Sequence, residues 1–451
     1  MRNYLLYVLP ALLCTGCSGF LDIKPDQKMA IPNTLEHADL LLNDYTSMNT
    51  GYPALGEISA DDYFLRSNNW QSISDMDERQ AYIWQDEDIV NTVQWQNPYQ
   101  TIYRSNQVLE VLGELDRNVE TAKYDKIFGG AHFYRAFALH QVARVFAPAY
   151  DPNSANQELG IPLRLSPDLD IKSIRATLQQ TFEQITNDYK QAVMSLPITE
   201  TLLGRPSKAS AYAGLARMYL DMADYEQAYR YADSCLGIYS ALQDFNDVNL
   251  GSAMPITRFN KEVLFSAASS LAGPLAQTFA RIDTNLYKSY YDDDLRKQAF
   301  FQHNTNDVGT YAFKGTYSGS HVGVFVGLTT SELYLIRSEA AVRTNRPDQA
   351  LSDVNHLLMH RWNEDVPYPD ITEQQPDRLL EIILDERRKE LIFRGQRWAD
   401  LKRLNQDPRF AKTLMRNIDG QEYRLEPNSP KYAIKIPLIV IEETGMEQNK
   451  R

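Results

Sequence analysis

The sequence is poor in cysteine, with only Cys14, Cys17 and Cys235 among 451 residues. So few thiols cannot form the disulfide framework that stabilises many small exported proteins. The chain is also long enough to bury one large core or two ordinary ones. We therefore expect its stability to come from packing.

Basic residues are outnumbered by acidic ones. The chain has 46 Lys and Arg against 59 Asp and Glu, which gives a net charge of -13 and a sequence pI near 5.1. Nucleic acid or an anionic membrane surface would each favour a basic face on the protein. The balance of charge therefore argues against either as a partner.

Common catalytic motifs are missing as well. No P-loop, GxGxxG, GxSxG or HExxH pattern occurs. Asp61 and Asp62 could in principle serve glycoside hydrolysis, but adjacent acids on a loop usually point apart. His132 and His140 have no third metal ligand nearby in the sequence, and the pair His356 and His360 lacks the Glu of a zinc motif. We expect no metal, no cofactor and no enzymatic activity.

The N-terminus is typical of a secretion signal. Arg2 precedes an apolar run from Tyr4 to Leu13, which is about half the roughly 20 residues that a membrane-spanning helix needs. The following Thr15, Gly16 and Cys17 resemble the end of a bacterial lipobox, although Cys14 stands where that pattern prefers Leu. We predict a signal peptide at residues 1–16, lipidation of Cys17 and a tether at residues 17–30. The alternative is an ordinary cleaved signal.

The middle of the chain has helical periodicity. Residues Ser207 to Leu236 fit a tetratricopeptide helix hairpin, with small residues where two helices approach each other, and residues Ser331 to Arg361 repeat the pattern less strictly. Such hairpins cannot bury their apolar faces singly, so we expect them to stack on two further amphipathic helices near Trp95 and Ala131. The predicted fold is mainly α, a tetratricopeptide-like scaffold with long irregular loops and minor β-structure.

The segment from Asp377 to Asn405 has the most specific pattern. Its apolar helical face is crossed by Arg387, and charged residues are placed for i,i+4 pairing of Asp385 with Lys389 and of Glu390 with Arg394. Gly395 then interrupts the pattern, which Trp398 restarts. This spacing predicts a helix, a tight turn and a second helix, with Arg387 held by carboxylates and Trp398 buried.

This segment resembles the C-terminal signature of the SusD/RagB family, the surface nutrient-binding lipoproteins of Bacteroidetes that work beside TonB-dependent transporters. The residues that fall on the family pattern are Glu386, Arg387, Arg388, Glu390, Leu391, Phe393, Gly395, Arg397, Trp398, Asp400 and Leu401. Arg394 departs from it, because the family usually has an acidic residue there. The stretches Phe20 to Pro25 and Ile434 to Asn449 also resemble the family.

The resemblance implies a single SusD-like domain over residues 31–451, located at the outer-membrane surface and anchored by lipid. It further implies capture of a nutrient, with a glycan as the leading candidate, and delivery to a SusC-like TonB-dependent transporter. Two alternatives remain open: an enzyme that acts on the same polymers, and a peptide-binding tetratricopeptide scaffold. The identity of the ligand does not follow from the sequence.

Three regions lack sustained periodicity, near residues 52–88, 151–171 and 242–327, and long irregular segments on a scaffold often bind ligands. A glycan site needs exposed aromatic rings with polar groups at their margins. The candidates are Trp70, in a polar setting, with Trp84, Tyr82, Tyr290 and Tyr291. Each could instead fold back on the scaffold, and Trp84 could equally pack in a strand. We assign the other tryptophans, Trp95, Trp362 and Trp398, to the core.

Overall fold

The structure is a computed structural model that describes residues 32–321 and 323–451. The predicted signal peptide at residues 1–16, the lipidation site Cys17 and the tether at 17–30 lie outside the described residues. Among the helices within the described ranges, none combines the length and apolar character that a bilayer-spanning segment requires.

Helices provide most of the regular structure, as predicted. In chain order they are α1 (Leu35–Leu42), α2 (Tyr45–Asn49), α3 (Leu55–Ser59), α4 (Ser67–Ser72), α5 (Met76–Tyr82), α6 (Val93–Gly113), α7 (Thr121–Phe146), α8 (Leu178–Ser195), α9 (Lys208–Asp221), α10 (Tyr225–Ile238), α11 (Thr284–Lys288), α12 (Arg296–Phe300), α13 (Thr330–Arg343), α14 (Pro347–Met359), α15 (Pro376–Glu390), α16 (Arg397–Leu404) and α17 (Leu438–Thr444).

The longer helices stack in sequence order. Helix α6 packs on α7, α7 on α8, α8 on α9, and the hairpin α9–α10 packs through α10 on α13, which contacts both α14 and α15. The predicted hairpins are therefore present and joined to the helices that contain Trp95 and Ala131. Small residues permit the close approach: a Cβ on Gly214 of α9 would lie 2.4 Å from the Tyr189 ring of α8.

Short strands make up the minor β-structure. They are β1 (Tyr63–Phe64), β2 (Leu159–Pro162), β3 (Arg175–Thr177), β4 (Val263–Phe265), β5 (Ala268–Leu271), β6 (Arg281–Ile282), β7 (Phe301–His303), β8 (Tyr311–Phe313), β9 (Gly323–Phe325), β10 (Leu328–Thr329), β11 (Leu414–Ile418) and β12 (Gln421–Leu425). They form antiparallel pairs, and β1 pairs with β6, which brings the first irregular region against the third.

The signature segment forms α15, a tight turn and α16. Trp398 is buried and donates its indole N–H to the Tyr432 carbonyl. Arg387 is buried and its Nε lies 2.9 Å from Asp400 Oδ2, so both residues are placed as predicted. Gly395 turns the chain with a φ of +66°, and a Cβ there would lie 2.8 Å from Val326 Cγ1.

The two predicted i,i+4 pairs have different outcomes. Arg394 lies 3.5 Å from Glu390, and its guanidinium stacks 3.5 Å from the centroid of the Tyr317 ring. The prediction that Lys389 pairs with Asp385 is wrong. Lys389 pairs with Glu386 instead, because Glu386 is turned towards the buried charges beneath α15.

Candidate functional site

Three aromatic side chains line a cavity of about 560 Å³ beside α14 and α15. The side chain of Tyr291 is 69% exposed, whereas Trp362 and Tyr368 are half-buried. The Trp362 ring meets both neighbours edge to face, with centroids 6.1 Å from Tyr291 and 5.8 Å from Tyr368. The cavity therefore has an exposed ring at its mouth and two more in its wall.

Helix α14 holds in place the loop after Trp362, which forms a wall of the cavity. Its residue Asn355 accepts hydrogen bonds from the Tyr368 hydroxyl and the Ile371 N–H, both at 2.8 Å, and donates to the Ile371 carbonyl. One amide side chain thus fixes the loop that follows Trp362. The proline-containing sequence of this loop gives no helical or strand periodicity, so its shape depends on these contacts.

Tyr291 comes from a distant part of the chain. The segment after it runs beside Trp362, since Asp294 forms a β-bridge with Trp362 and the Asn363 N–H donates to the Asp293 carbonyl. The Leu295 N–H donates to the carbonyl of Arg361 in the same stretch. These backbone contacts place the Tyr291 ring next to the indole.

The floor of the cavity is a buried network of charges. Arg296 lies 2.7 Å from Asp294 and 2.6 Å from Glu386, and Arg361 lies 2.6 Å from Glu262 and 2.9 Å from Glu390. Burial acts to raise the pKa of Glu390, but the guanidinium groups around it, Arg361 first, outweigh burial and lower that pKa to about 2. The network is a buried support in which each guanidinium is paired with carboxylates.

One polar group in the wall lacks a partner. The indole Nε1 of Trp362 is buried and makes no hydrogen bond within the described part of the chain. A buried donor without an acceptor costs about 1–3 kcal/mol. This nitrogen is closed to solvent in the structure, so a molecule in the cavity could accept from it only if neighbouring side chains moved.

Three of the predicted ligand-binding residues are buried. The Tyr290 hydroxyl donates to the Lys389 carbonyl, the Trp84 indole donates to the Ser59 carbonyl, and the Tyr82 hydroxyl accepts from the Leu65 N–H. The guanidinium of Arg416 lies 3.6 Å from the Tyr82 centroid and 5.0 Å from that of Trp84. These rings pack against the protein itself and present no open face, although Tyr82 and Trp84 border a second cavity of about 420 Å³.

Trp70 is half-buried on α4. Its indole N–H donates to the Arg79 carbonyl at 3.0 Å, and the Arg79 guanidinium lies 4.6 Å from its ring centroid. The β1–β6 pair brings this region near the third irregular region but does not bring Trp70 into the cavity that Tyr291 borders. Of the predicted residues, Tyr291 alone lines that cavity.

Sequence reasoning missed two residues of this cavity. Trp362 was assigned to the core because it follows a helical, family-like stretch, and the structure shows it half-buried in the wall. Tyr368 was not considered. The signal that could have found both is the segment from Trp362 to Ile371, which has two prolines, two aromatics and no periodicity.

A larger cleft of about 660 Å³ lies between α16 and the C-terminal segment. Most of its amide side chains are already used: Gln448 bonds both backbone groups of Ile436, Asn449 donates to the carbonyls of Phe146 and Ile434, and Gln406 donates to that of Tyr150. The tyrosine in its lining, Tyr432, is buried. This cleft therefore lacks the exposed ring that the smaller cavity has.

The adjacent acids Asp61 and Asp62 are engaged in ion pairs. Asp61 lies 2.6 Å from Arg397 and 2.7 Å from Lys412, and Asp62 lies 2.8 Å from Arg388. Both carboxylates join the first irregular region to the signature segment. Their surroundings fit a structural role.

Comparisons with known proteins agree with this fold. A family profile described as starch-binding and associating with the outer membrane matches residues 19–220, and the profile of the SusD family matches residues 282–436. SusD-like protein P2 of Formosa agariphila is 24% identical over 370 residues, which are 69% of this chain and 71% of that protein.

Solved structures are similar as well. A SusD superfamily protein from Bacteroides thetaiotaomicron has a TM-score of 0.74 at 20% identity, over 93% of this chain and 100% of that one. A putative sugar binding protein from Bacteroides vulgatus has a TM-score of 0.73 at 20% identity, over 92% and 98% of the two chains. At this identity the likeness establishes the fold.

Proposed function

Because this chain belongs to the SusD/RagB family, we propose that it is a cell-surface lipoprotein that captures a glycan and passes it to a TonB-dependent transporter in the outer membrane. The observation that carries the glycan assignment is the exposed Tyr291 ring at the mouth of a cavity with two further aromatic residues in its wall.

The chemistry of the cavity suits a sugar. A pyranose ring has an apolar face of C–H groups, which stacks on an aromatic plane, and an edge of hydroxyls, which forms hydrogen bonds. Tyr291 offers the plane, and the exposed side chains of Asp370 and Thr372 in the lining can form hydrogen bonds with the hydroxyls. The description of a similar structure as a putative sugar binding protein supports the same assignment.

The anchor and the transporter partner extend the proposal. Lipidation at Cys17 would hold the protein on the outer membrane, since several acyl chains together make an anchor effectively permanent. Tethering to the same surface raises the effective concentration of capture protein and transporter into the millimolar range. The support for both is family membership and the lipobox-like sequence.

The enzyme alternative is less well supported. Glycoside hydrolysis uses two carboxylates free to act on one bond, and Asp61 and Asp62 cannot supply them because cations hold both. An enzyme would have to use the unpaired carboxylates at the aromatic cavity, which the product analysis below tests. The peptide-scaffold alternative would use the hairpin surfaces, but the small residues Ala228, Ala232 and Ala350 are buried in helix packing.

A polysaccharide panel tests the proposal. Purified protein lacking the signal is run through native gels that contain one polysaccharide each, and each polymer is also incubated with the protein and analysed for products. We expect retarded migration with at least one polymer and no products. Free migration in every gel would contradict glycan capture, and release of oligosaccharides would favour the enzyme.

A second experiment tests the partnership. The protein is extracted from native membranes in mild detergent and isolated by an affinity tag. We expect a TonB-dependent barrel in roughly equal amount. Recovery of the protein alone would contradict delivery to such a transporter while leaving glycan capture standing.

A further inference from the structure

The cations that line the aromatic cavity are all matched by carboxylates. Arg296 pairs with Asp294 and Glu386, Arg361 pairs with residues behind the floor, and Lys389 pairs with Glu386. These groups are buried, and the protein's own carboxylates neutralise their charges. The cavity lining therefore has no unpaired cation to offer an acidic ligand.

The unpaired charges in the cavity lining are acidic. Asp370 and Glu373 line the cavity at least partly exposed, and neither forms an ion pair within the described residues. Glu373 accepts one hydrogen bond from the Gln375 N–H, which leaves its charge uncompensated. Two negative groups thus face any molecule that stacks on the rings.

Further carboxylates flank Tyr291 and Trp362. Asp293, Glu364 and Asp365 lie on the two chain segments that the Asp294–Trp362 bridge holds side by side, and these three also lack an ion-pair partner in the described part of the chain. Asp292, next to Tyr291 in the chain, is instead bound by Lys297. Unpaired carboxylates therefore occur on both chain segments that meet beside Tyr291 and Trp362.

From this arrangement, and resting on the proposed function, we infer that the cavity selects glycans without acidic groups and rejects sulfated or uronate-rich ones. A like charge placed about 4 Å from a carboxylate in water costs a factor of roughly five in affinity, and two such pairs exceed tenfold. Ligand amino groups would meet the opposite effect, attraction to the carboxylates and to the ring faces.

Matched polysaccharides test the inference. The probes are pairs that share a backbone and differ in charge: β-1,4-glucan oligosaccharides with β-1,4-glucuronan oligosaccharides, desulfated carrageenan with carrageenan, and dextran with dextran sulfate. In any pair that binds, we expect the neutral member to bind at least about tenfold more tightly at low salt. This ratio of the two affinities, the gap between neutral and acidic members, should narrow at about 0.5 M NaCl, where the screening length falls to a few ångströms.

Variants of the lining carboxylates distinguish selectivity by charge from selectivity by shape. Asp370→Asn combined with Glu373→Gln should reduce the gap to about threefold or less, because it removes the two carboxylates in the lining. The control is Glu110→Gln with Glu114→Gln, which removes the same charge from the last turn of α6 and the residue that follows the helix, neither of which lines the cavity. This control should leave the gap unchanged.

Each outcome of these experiments either supports or contradicts the inference. Equal or tighter binding of an acidic member overturns the inference and leaves the proposed function standing. A gap that responds neither to salt nor to the Asp370 and Glu373 variant shows exclusion by shape and also overturns the inference. No binding of any probe, with free migration throughout the larger panel, contradicts the proposed function and removes this inference with it.

Discussion

Replacing Tyr291 with alanine should weaken glycan binding far more than it weakens the fold. The ring is 69% exposed, so a sugar that stacks on it covers a face that is open to water in the free protein. Covering one face of such a ring removes roughly 70 Å² from water, which at about 25 cal/mol per Å² corresponds to about 2 kcal/mol. Tyr291→Ala should therefore raise Kd about thirtyfold.

The cost to stability should be small. The ring loses its edge contact with Trp362, which is worth about 0.5–1 kcal/mol, and little buried area. Trp70→Ala should behave in the opposite way, because that indole donates to the Arg79 carbonyl and is covered by the Arg79 guanidinium. We expect Trp70→Ala to affect unfolding more than binding.

Calorimetric titration with an oligosaccharide from the polymer that binds in the panel measures these effects, alongside thermal unfolding of each variant. The control is Tyr239→Ala, which removes the other well-exposed tyrosine of the described chain, 40% exposed and outside the cavity. A Kd within threefold of wild type for Tyr291→Ala, or equal losses for the two tyrosine variants, would refute the reasoning.

The remaining predictions concern the scaffold and the anchor. Arg387→Ala should destabilise the fold by about 3 kcal/mol, the lower end of the range for a buried pair because Asp400 keeps Arg403, whereas exposed Arg378→Ala should change the melting temperature little. Normal stability with lost binding would contradict this. Since the pKa of Glu390 is lowered from 4.5 to about 2, its ionised form stabilises the fold above pH 4.5, and this contribution disappears as the pH falls towards 2. Glu390→Gln should flatten that part of the stability curve, and an unchanged slope would count against it. Cys17→Ala should abolish palmitate labelling and release the protein from membranes; continued sedimentation with the outer membrane would exclude lipidation at Cys17.

The scaffold could be predicted because its signals are local and repeated. Leu215, Ala228 and Ala232 occupy buried hairpin positions, as their spacing indicates, and Trp398 is buried as the signature segment suggests. Ser338 is one position where the second hairpin repeats the pattern less strictly, and its hydroxyl donates to the Ala350 carbonyl on the next helix.

The binding cavity could not be predicted in the same way, because residues distant in the chain build it. Tyr291 and Trp362 meet through a backbone bridge between segments about seventy residues apart, which no periodic pattern indicates. Aperiodic sequence equally does not show whether an aromatic ring folds inward, and Tyr82, Trp84 and Tyr290 do so because backbone groups satisfy their polar atoms.

The most direct test of glycan capture at this cavity is a crystal structure of the protein with the oligosaccharide that binds in the panel. The account predicts a sugar ring stacked on Tyr291 and sugar hydroxyls within hydrogen-bonding distance of exposed polar side chains in the lining, such as Asp370. A saccharide bound at Trp70 or in the 660 Å³ cleft, with the aromatic cavity empty, would contradict it.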